Sequence, residues 1–171
     1  MRGGAATQRD RQAAAVQGSS TLGRDALTGV VIERVVDWQD TDAAGHYHHS
    51  TIIRWVEAAE AALLERYGLR WLFGTIPRVH YEVDYLERLW FGDRAAIELS
   101  IAELGRTSVR YEFVVTRISA PQQHSTDQPA VAARGALIAV HAGAGAEPWP
   151  AEVTAALAGA KARDAPAAPA H

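Results

Sequence analysis

Apolar residues recur every three or four positions in one stretch of the chain. They are Ile52, Val56, Ala59, Leu63 and Tyr67. This spacing places them on one face of an α-helix. Ser50 or Thr51 can cap its start, because a side-chain oxygen there accepts an otherwise unpaired backbone N–H, and Gly68 is a natural stop. The pattern therefore predicts an amphipathic helix that ends near Tyr67.

Five other segments favour β-strands. They are 28–38, 78–86, 95–104, 107–118 and 130–141. The first is rich in β-branched residues, and the middle three alternate apolar with polar positions, which indicates one buried face. The last contains small residues that permit close approach by a bulky neighbour, for which the helix is the candidate. One long helix followed by an antiparallel meander predicts an α+β fold with the helix packed on the sheet.

The strand predicted over 78–86 has the clearest alternation. One face is expected to carry Val79, Tyr81, Val83 and Tyr85, and the other His80, Glu82 and Asp84. A two-fold partner that continues the sheet would protect its open edges.

Composition limits the classes of function. The chain has 171 residues, 48% of them hydrophobic, which suffices for one domain with a real core. The net charge of −3 gives no reason to expect a nucleic acid or an anionic membrane as partner. The absence of cysteine excludes disulfides, a cysteine nucleophile and thiolate metal sites. No apolar run is long enough to span a bilayer, and no apolar signal core follows Met1, so the cytoplasm is the expected location.

Both ends of the chain differ from its middle. Residues 1–27 and 161–171 are poor in large apolar residues and are predicted to be disordered tails. Residues 28–160 are predicted to form the single domain.

A polar stretch precedes the predicted helix and carries the candidate chemistry. Its ionisable side chains are Asp37, Asp40, Asp42, His46, His48 and His49. Free N–H groups and the helix dipole favour negative charge at a helix start. A carboxylate or imidazole placed there can activate water while the helix start stabilises an oxyanion. We interpret Asp40 as a turn carboxylate that orients the loop, whereas Asp42 is a capping or a catalytic carboxylate.

The three histidines suggest a metal site as an alternative, with Asp42 adding an oxygen ligand. Their spacing is not a recognised zinc pattern. The residues themselves therefore predict no metal and no other cofactor.

The motif D-T-D-A-A-G at 40–45, directly before the helix, resembles the hot-dog fold thioesterases of the 4-hydroxybenzoyl-CoA type. The resemblance covers roughly residues 30–157. The subgroup it resembles is the Tol-Pal-associated acyl-CoA thioesterases, which carry a histidine seven residues after the second aspartate, as His49 follows Asp42. The segments 105–108 and 150–152 also look like this family.

The resemblance implies an antiparallel sheet wrapped around the central helix, and an enzyme that hydrolyses an acyl-CoA or acyl-carrier-protein thioester. It implies no cofactor, because CoA or phosphopantetheine would be part of the substrate. Asp42 would act as nucleophile or as general base for a water. N–H groups at the helix start would be the oxyanion donors, and His49 would supply such an N–H or a catalytic imidazole. The active site would lie at the interface of a homodimer, or within a tetramer of two dimers.

Six further residues are predicted to contact the substrate: Gly45, His46, Tyr47, His48, Thr107 and Ser108. Tyr47 lies inside the motif and could form the floor of an aromatic or branched acyl pocket. The hydroxyls of Thr107 and Ser108 could reach the substrate or its pantetheine arm, although both residues are also ordinary strand formers.

The chain departs from the family pattern at 46–49. The benzoyl branch has hydrophobic or aromatic residues there and other branches have Val-Asn-Asn, so the acyl pocket is expected to differ from both. A second benzoyl-CoA branch uses a helical glutamate. Glu57 is the alternative carboxylate in that role, although it lies further along the helix than we expect for that motif.

Two other functions are compatible with the same residues. A hot-dog hydratase or dehydratase pairs a histidine with a carboxylate, and Asp42 with His49 could serve. Consumption of an enoyl-CoA without thiol release would indicate that activity. In a non-catalytic thioester-binding protein, the polar cluster would only position the ligand, and an uncleaved thioester would co-purify.

Overall fold

The computed structural model describes residues 29–120 and 128–164, with residues 158–164 described by their backbone alone. The strands are β1 (Gly29–Val35), β2 (Arg78–Tyr85), β3 (Arg94–Leu104), β4 (Ser108–Ser119) and β5 (Ala130–Val140). The helices are α1 (His49–Arg66) and α2 (Ala151–Asp164), with short 3-10 turns at Trp38–Asp40 and Arg70–Leu72. The predicted order of one strand, a long helix and four strands is confirmed.

The five strands form one antiparallel sheet in the order β1-β3-β4-β5-β2. The two strands that flank α1 in the chain, β1 and β2, therefore occupy opposite edges. Of the predicted tails, residues 1–27 and 165–171 lie outside the described residues, and residues 161–164 belong to α2. Among the described residues, no helix has the length and apolar character that crossing a membrane requires.

The helix α1 packs its apolar face on the sheet, as its periodicity predicts. Ile52, Val56, Ala59 and Leu63 are fully buried. Burial of a Leu or Ile side chain contributes roughly 1.5–3 kcal/mol, so this face holds the helix in place. The helix ends at Arg66, and the glycine that follows it two residues later adopts a φ of +70°.

The sheet and α2 complete the core. Inward-facing strand residues with at most 2% exposure include Ile97, Leu99, Ile101, Val109, Tyr111, Phe113, Val115 and Leu137. At one end, Trp149, Val153 and Leu157 close the core over Leu64 and Leu72. Hydrophobic burial therefore continues from the helix through the sheet to α2.

The alternation expected for β2 is interrupted by a bulge. The register shifts between Arg78 and His80, so Arg78 pairs with the buried Ala139 and takes an inward position. Of the four residues predicted on one buried face, Tyr81 and Val83 are partly buried, whereas Val79 is 61% and Tyr85 47% exposed, so the prediction was wrong for these two. The inward Arg78 is stabilised there by an ion pair with Glu60 of α1.

Small residues in the last strand were expected to permit a close approach by the helix, and Gly135 of β5 does make a close approach, but to other strands. A Cβ on Gly135 would lie 2.0 Å from the carbonyl oxygen of Glu82 and 2.8 Å from Cζ of Phe113. Gly135 therefore lets the backbone of β2 and the ring on β4 come together, and the interpretation that the helix approaches there was wrong.

Candidate active site

The polar stretch between β1 and α1 folds as two consecutive turns. Asp37 caps the first, with Oδ1 accepting from the N–H of Trp38 at 2.6 Å, while Oδ2 of Asp40 accepts from the N–H of Asp37 at 3.1 Å. Asp40 is 6% exposed, and its Oδ1 accepts from Arg54 of α1 at 2.8 Å. Asp40 therefore fastens the loop to the helix, in agreement with its interpretation as an orienting carboxylate.

The second turn presents Asp42. The Asp42 N–H donates to the carbonyl of His46 at 3.0 Å, and the Gly45 N–H donates to the carbonyl of Asp42 at 3.0 Å. Gly45 has a φ of +81°, a region in which a side chain is strained. Oδ1 of Asp42 accepts from the N–H of Ala44 at 2.8 Å. The turn thus uses Oδ1 of Asp42 as a hydrogen-bond acceptor, whereas Oδ2 accepts no hydrogen bond within the turn.

His46 stands beside that second oxygen. Its Nδ1 lies 3.9 Å from Oδ2 of Asp42 and 3.1 Å from the carbonyl oxygen of Tyr47. Because a carbonyl oxygen only accepts, Nδ1 donates to it, and Nε2 of the neutral ring is left as an acceptor. The ring packs edge to face on Trp90, with 5.7 Å between centroids. The imidazole is therefore held in one orientation next to the carboxylate.

The start of α1 is capped by His48, so the prediction of Ser50 or Thr51 as cap was wrong. Nδ1 of His48 accepts from the N–H of Ser50 at 3.2 Å, and the His48 carbonyl accepts from the N–H of Thr51 at 2.9 Å. Ser50 and Thr51 lie within the first turn because the helix begins at His49, two residues earlier than a Ser50 cap requires and three earlier than a Thr51 cap requires. Among the described residues, no hydrogen-bond acceptor is found for the N–H of His49.

A cavity of about 850 Å³ opens at this end of the molecule. It is lined by Asp42, His46, Tyr47, His49, Tyr85, Leu86, Glu87, Arg88, Trp90, Arg117 and Ala130. Its volume lies within the range typical of small-molecule sites. The predicted catalytic pair, Asp42 and His49, therefore lines one cavity together with His46 and Tyr47.

Tyrosines form one wall of this cavity. Tyr47 is 6% exposed, and its hydroxyl donates to the carbonyl of Glu87 at 3.3 Å. Burial, assisted by the neighbouring Tyr85, raises the pKa of Tyr47 to about 12. Tyr85 donates its hydroxyl to the carbonyl of His49 at 3.0 Å, and burial raises its pKa. Both phenols are therefore neutral at physiological pH, and Tyr85 ties the first residue of α1 to β2.

The other four residues predicted to contact the substrate do not line the cavity. His48 caps α1 and does not line the cavity, and Gly45 shapes the turn. Thr107 directly precedes β4 and Ser108 begins it; the Thr107 carbonyl accepts from the N–H of His141, and the Ser108 carbonyl accepts from Nε1 of Trp149. Within one chain, Thr107 and Ser108 therefore contact the segment before α2 and do not share the cavity with Asp42.

Several cavity residues were not anticipated from the sequence. Tyr85, Trp90 and Arg117 come from β2, the β2–β3 connection and β4, and none of them is near Asp42 in the chain. The only signal in the sequence is the cluster of aromatic residues around 81–91. Glu57, the alternative carboxylate, is exposed on α1 and does not line the cavity.

The arrangement combines three chemical groups at one place. Asp42 is a carboxylate with 33% of its side chain exposed, His46 and His49 are imidazoles, and the open N–H of His49 is at the positive end of the helix dipole. In such a set the carboxylate can deprotonate an attacking water, or act as the nucleophile itself, and the open N–H can stabilise a developing oxyanion. In the described part of the chain, no three His, Asp or Glu side chains are grouped to hold a metal ion.

Comparison with known proteins places the chain in a family. The family model described as the thioesterase-like superfamily matches residues 36–157. A 1,4-dihydroxy-2-naphthoyl-CoA hydrolase from Parasynechococcus marenigrum is 34% identical over 97 residues, which are 48% of this chain and 64% of that protein. The chain thus spans just under two thirds of the length of this relative.

Solved structures agree with the family match. A gentisyl-coenzyme A thioesterase has a TM-score of 0.62 at 27% identity, over 75% of this chain and 99% of the other. The 4-hydroxybenzoyl-CoA thioesterase of Pseudomonas sp. strain CBS-3 has a TM-score of 0.66 at 20% identity, again over 75% and 99%, and shows the shared fold. The Tol-Pal subgroup stays a prediction. The chain belongs to the thioesterase-like superfamily and has the hot-dog fold of the 4-hydroxybenzoyl-CoA thioesterases.

Proposed function

We propose that the protein is a thioesterase that hydrolyses acyl-CoA thioesters to a carboxylic acid and free CoA. The observation that carries this proposal is that Asp42 and the open N–H of His49 belong to residues lining the same cavity. The named relatives act on CoA thioesters, which supports CoA as the thiol part of the substrate. An acyl-carrier-protein thioester has the same pantetheine arm and is the alternative donor.

The chemistry follows from these groups. The carbonyl oxygen of the thioester accepts a hydrogen bond from the N–H of His49, where the helix dipole stabilises the negative charge of the tetrahedral intermediate. Asp42 either attacks the carbonyl carbon, forming an anhydride that water then cleaves, or takes a proton from a water that attacks. In both routes the C–S bond breaks and the thiolate leaves, to be protonated as the thiol.

An aromatic acyl group fits the walls of the cavity best. Tyr47, Tyr85 and Trp90 present three aromatic rings, and such rings favour offset or edge-on packing with another ring. The relatives named for dihydroxynaphthoyl-CoA and gentisyl-CoA act on aromatic acyl groups. We therefore expect kcat/KM to be higher for aryl-CoA thioesters than for acetyl-CoA.

A homodimer is part of the same proposal. β2 is an edge strand, and its exposed residues include Val79 at 61% and Tyr85 at 47%. Because Tyr85 also lines the cavity, a second subunit that pairs with β2 would lie against the cavity rim. Light scattering on the purified protein should give the mass of a dimer or tetramer, and a fully active monomer would contradict this part.

The test is release of free thiol, followed with a chromogenic disulfide, from a panel of CoA thioesters. The panel runs from acetyl to long-chain acyl and includes benzoyl, 4-hydroxybenzoyl, gentisyl and 1,4-dihydroxy-2-naphthoyl groups. Asp42→Asn should lose the activity. Asp84→Asn, which changes an exposed aspartate paired with Arg134 outside the cavity, should keep it. If no thioester of the panel or of a carrier protein releases thiol, the protein is not a thioesterase.

A further inference from the structure

The imidazole of His48 makes two contacts that together form an unusual helix cap. Its Nδ1 lies 3.2 Å from the backbone nitrogen of Ser50 and 2.8 Å from Oγ of the same residue. An N–H group can only donate, so Nδ1 carries its lone pair towards Ser50 and has no proton. The neutral ring therefore has its hydrogen on Nε2. His48 acts as the acceptor that Ser, Thr, Asp or Asn more often provides at a helix start.

His48 also decides which N–H of the first turn is left open. The ring takes the N–H of Ser50, and the His48 carbonyl takes the N–H of Thr51 at 2.9 Å. The first N–H groups of a helix have no partner within the helix. Among the first three, the N–H of His49 is the one for which the described residues offer no acceptor.

The cap is connected to the loop that presents Asp42. The N–H of His48 donates to the carbonyl of Asp40 at 2.7 Å, and Asp40 is bound by Arg54. The ring of His48 lies 4.0 Å, centroid to centroid, from the ring of His49. His48 therefore joins the loop, the first turn of α1 and the side chain of His49, although it does not line the cavity itself.

We propose that His48 is a positioning residue, whose ring caps α1 so that, of the first-turn N–H groups, that of His49 is left open at the cavity. This inference rests on the proposed thioesterase function. A ring that holds an oxyanion donor stabilises charge that develops after the substrate is bound. Its loss should therefore reduce kcat more than it changes KM.

The first test compares two replacements of His48. His48→Leu removes the acceptor, and we expect kcat to fall roughly 10- to 100-fold with KM changed by less than about twofold, since removal of a whole donor costs about 100- to 1,000-fold. His48→Asn returns a side-chain oxygen that can accept from Ser50, and kcat should recover to within about threefold of the wild type. Glu65→Leu, which replaces an exposed polar side chain near the other end of α1, outside the cavity, is the control and should leave kcat unchanged.

A second measurement tests the hydrogen bond between His48 and the N–H of Ser50 in the absence of substrate. Amide hydrogen exchange at Ser50 should be slow in the wild type and in His48→Asn, and faster in His48→Leu. The ¹⁵N signal of the His48 ring should show an unprotonated Nδ1 in the wild type.

The outcomes separate this inference from the function on which it rests. Unchanged kcat in His48→Leu, or equal losses in the Leu and Asn variants, would overturn the positioning role while thiol release by the wild type upholds the function. If the wild type cleaves no thioester, the function fails, and equal Ser50 exchange in all three proteins would overturn the cap as well.

Discussion

Asp42 and Glu60 are two carboxylates positioned by the same helix, in opposite surroundings. Asp42 precedes the first turn of α1 and has 33% of its side chain exposed at the cavity. Glu60 lies near the middle of α1, is fully buried, and is paired with Arg78, whose Nε donates to Oε2 at 3.1 Å. One carboxylate can therefore meet a water or a substrate, while the other is enclosed by protein.

The enclosure of Glu60 changes its protonation. Burial raises the pKa of Glu60 above its ordinary value, and the hydrogen bond and charge of Arg78 oppose part of that rise. Burial and the nearby Glu60 also raise the pKa of Tyr111. A buried and ion-paired carboxylate is a structural element, because its removal leaves an uncompensated charge. The comparison shows that access to the cavity, and not the presence of a carboxylate on the helix, distinguishes the candidate catalytic group.

The largest effect is expected on kcat, when each of the two carboxylates is replaced by its amide. Asp42→Asn should lower kcat by about 10²- to 10⁴-fold, the range typical of a lost general base, without lowering the midpoint of urea unfolding. Glu60→Gln should lower that midpoint but keep kcat within about twofold for the folded protein. Steady-state kinetics and urea unfolding on both variants check this, and a reversed pattern would exchange their assigned roles.

The next effect concerns stability at the buried pair. Arg78→Ala leaves Glu60 without its cation and should cost about 3 kcal/mol of unfolding free energy, at the lower end for a broken buried pair because Arg78 is 29% exposed. Arg70→Ala removes a pair with Glu65 whose side chains are 72% and 67% exposed, and should cost at most about 1 kcal/mol. Chemical denaturation at one pH measures both.

The pH dependence of the Arg78→Ala penalty has a definite sign. A carboxyl with a raised folded-state pKa contributes stability that is fully present below its unfolded-state pKa and is lost as the pH rises through the folded-state value. Removing Arg78 raises the pKa of Glu60 further. The penalty should therefore be larger at pH 7 than at pH 5, and an equal penalty at both would show that the pair carries no net charge coupling.

A smaller effect is expected in the turn that presents Asp42. Gly45→Ala places a side chain at a φ of +81° and should cost about 1–2 kcal/mol, from the backbone conformation alone, since the new Cβ would lie 3.9 Å from Trp90. Gly145→Ala, where no described atom lies within 4 Å and φ is not positive, is the matched control. Thermal unfolding of both variants measures the difference, and equal melting temperatures would contradict the strain.

The smallest effect compares two tyrosines of β2. Tyr85→Phe removes the hydrogen bond to the carbonyl of His49 and should lower kcat about threefold, since one net hydrogen bond contributes about 0.5–1.5 kcal/mol. Tyr81 has a buried hydroxyl with no hydrogen-bond partner among the described residues. Tyr81→Phe should therefore leave kcat unchanged and stability equal or higher. A larger kcat loss in Tyr81→Phe than in Tyr85→Phe would contradict the anchoring of α1 through Tyr85.

The sequence by itself determined the elements and the candidate carboxylate. The three-to-four residue spacing from Ile52 to Leu63 predicts the buried face of α1, and alternation predicts the strands of the meander. The motif that ends at Gly45 places Asp42 in a turn before the helix, and its resemblance to the thioesterase motif makes Asp42 the candidate catalytic carboxylate. These features are local, because each depends on backbone periodicity or turn chemistry within a few residues.

The tertiary structure alone decided what surrounds that carboxylate. Tyr85, Trp90 and Arg117 line the same cavity as Asp42 only because the sheet order brings the ends of β2 and β4 to the start of α1. The bulge that turns Arg78 inward, and the cap by His48 where Ser50 or Thr51 was expected, also depend on partners across the fold. Local propensity does not distinguish between such side chains, and long-range packing and hydrogen bonding decide which of them take these positions. The sequence could therefore predict where the site lies, whereas the residues that line it depend on the fold.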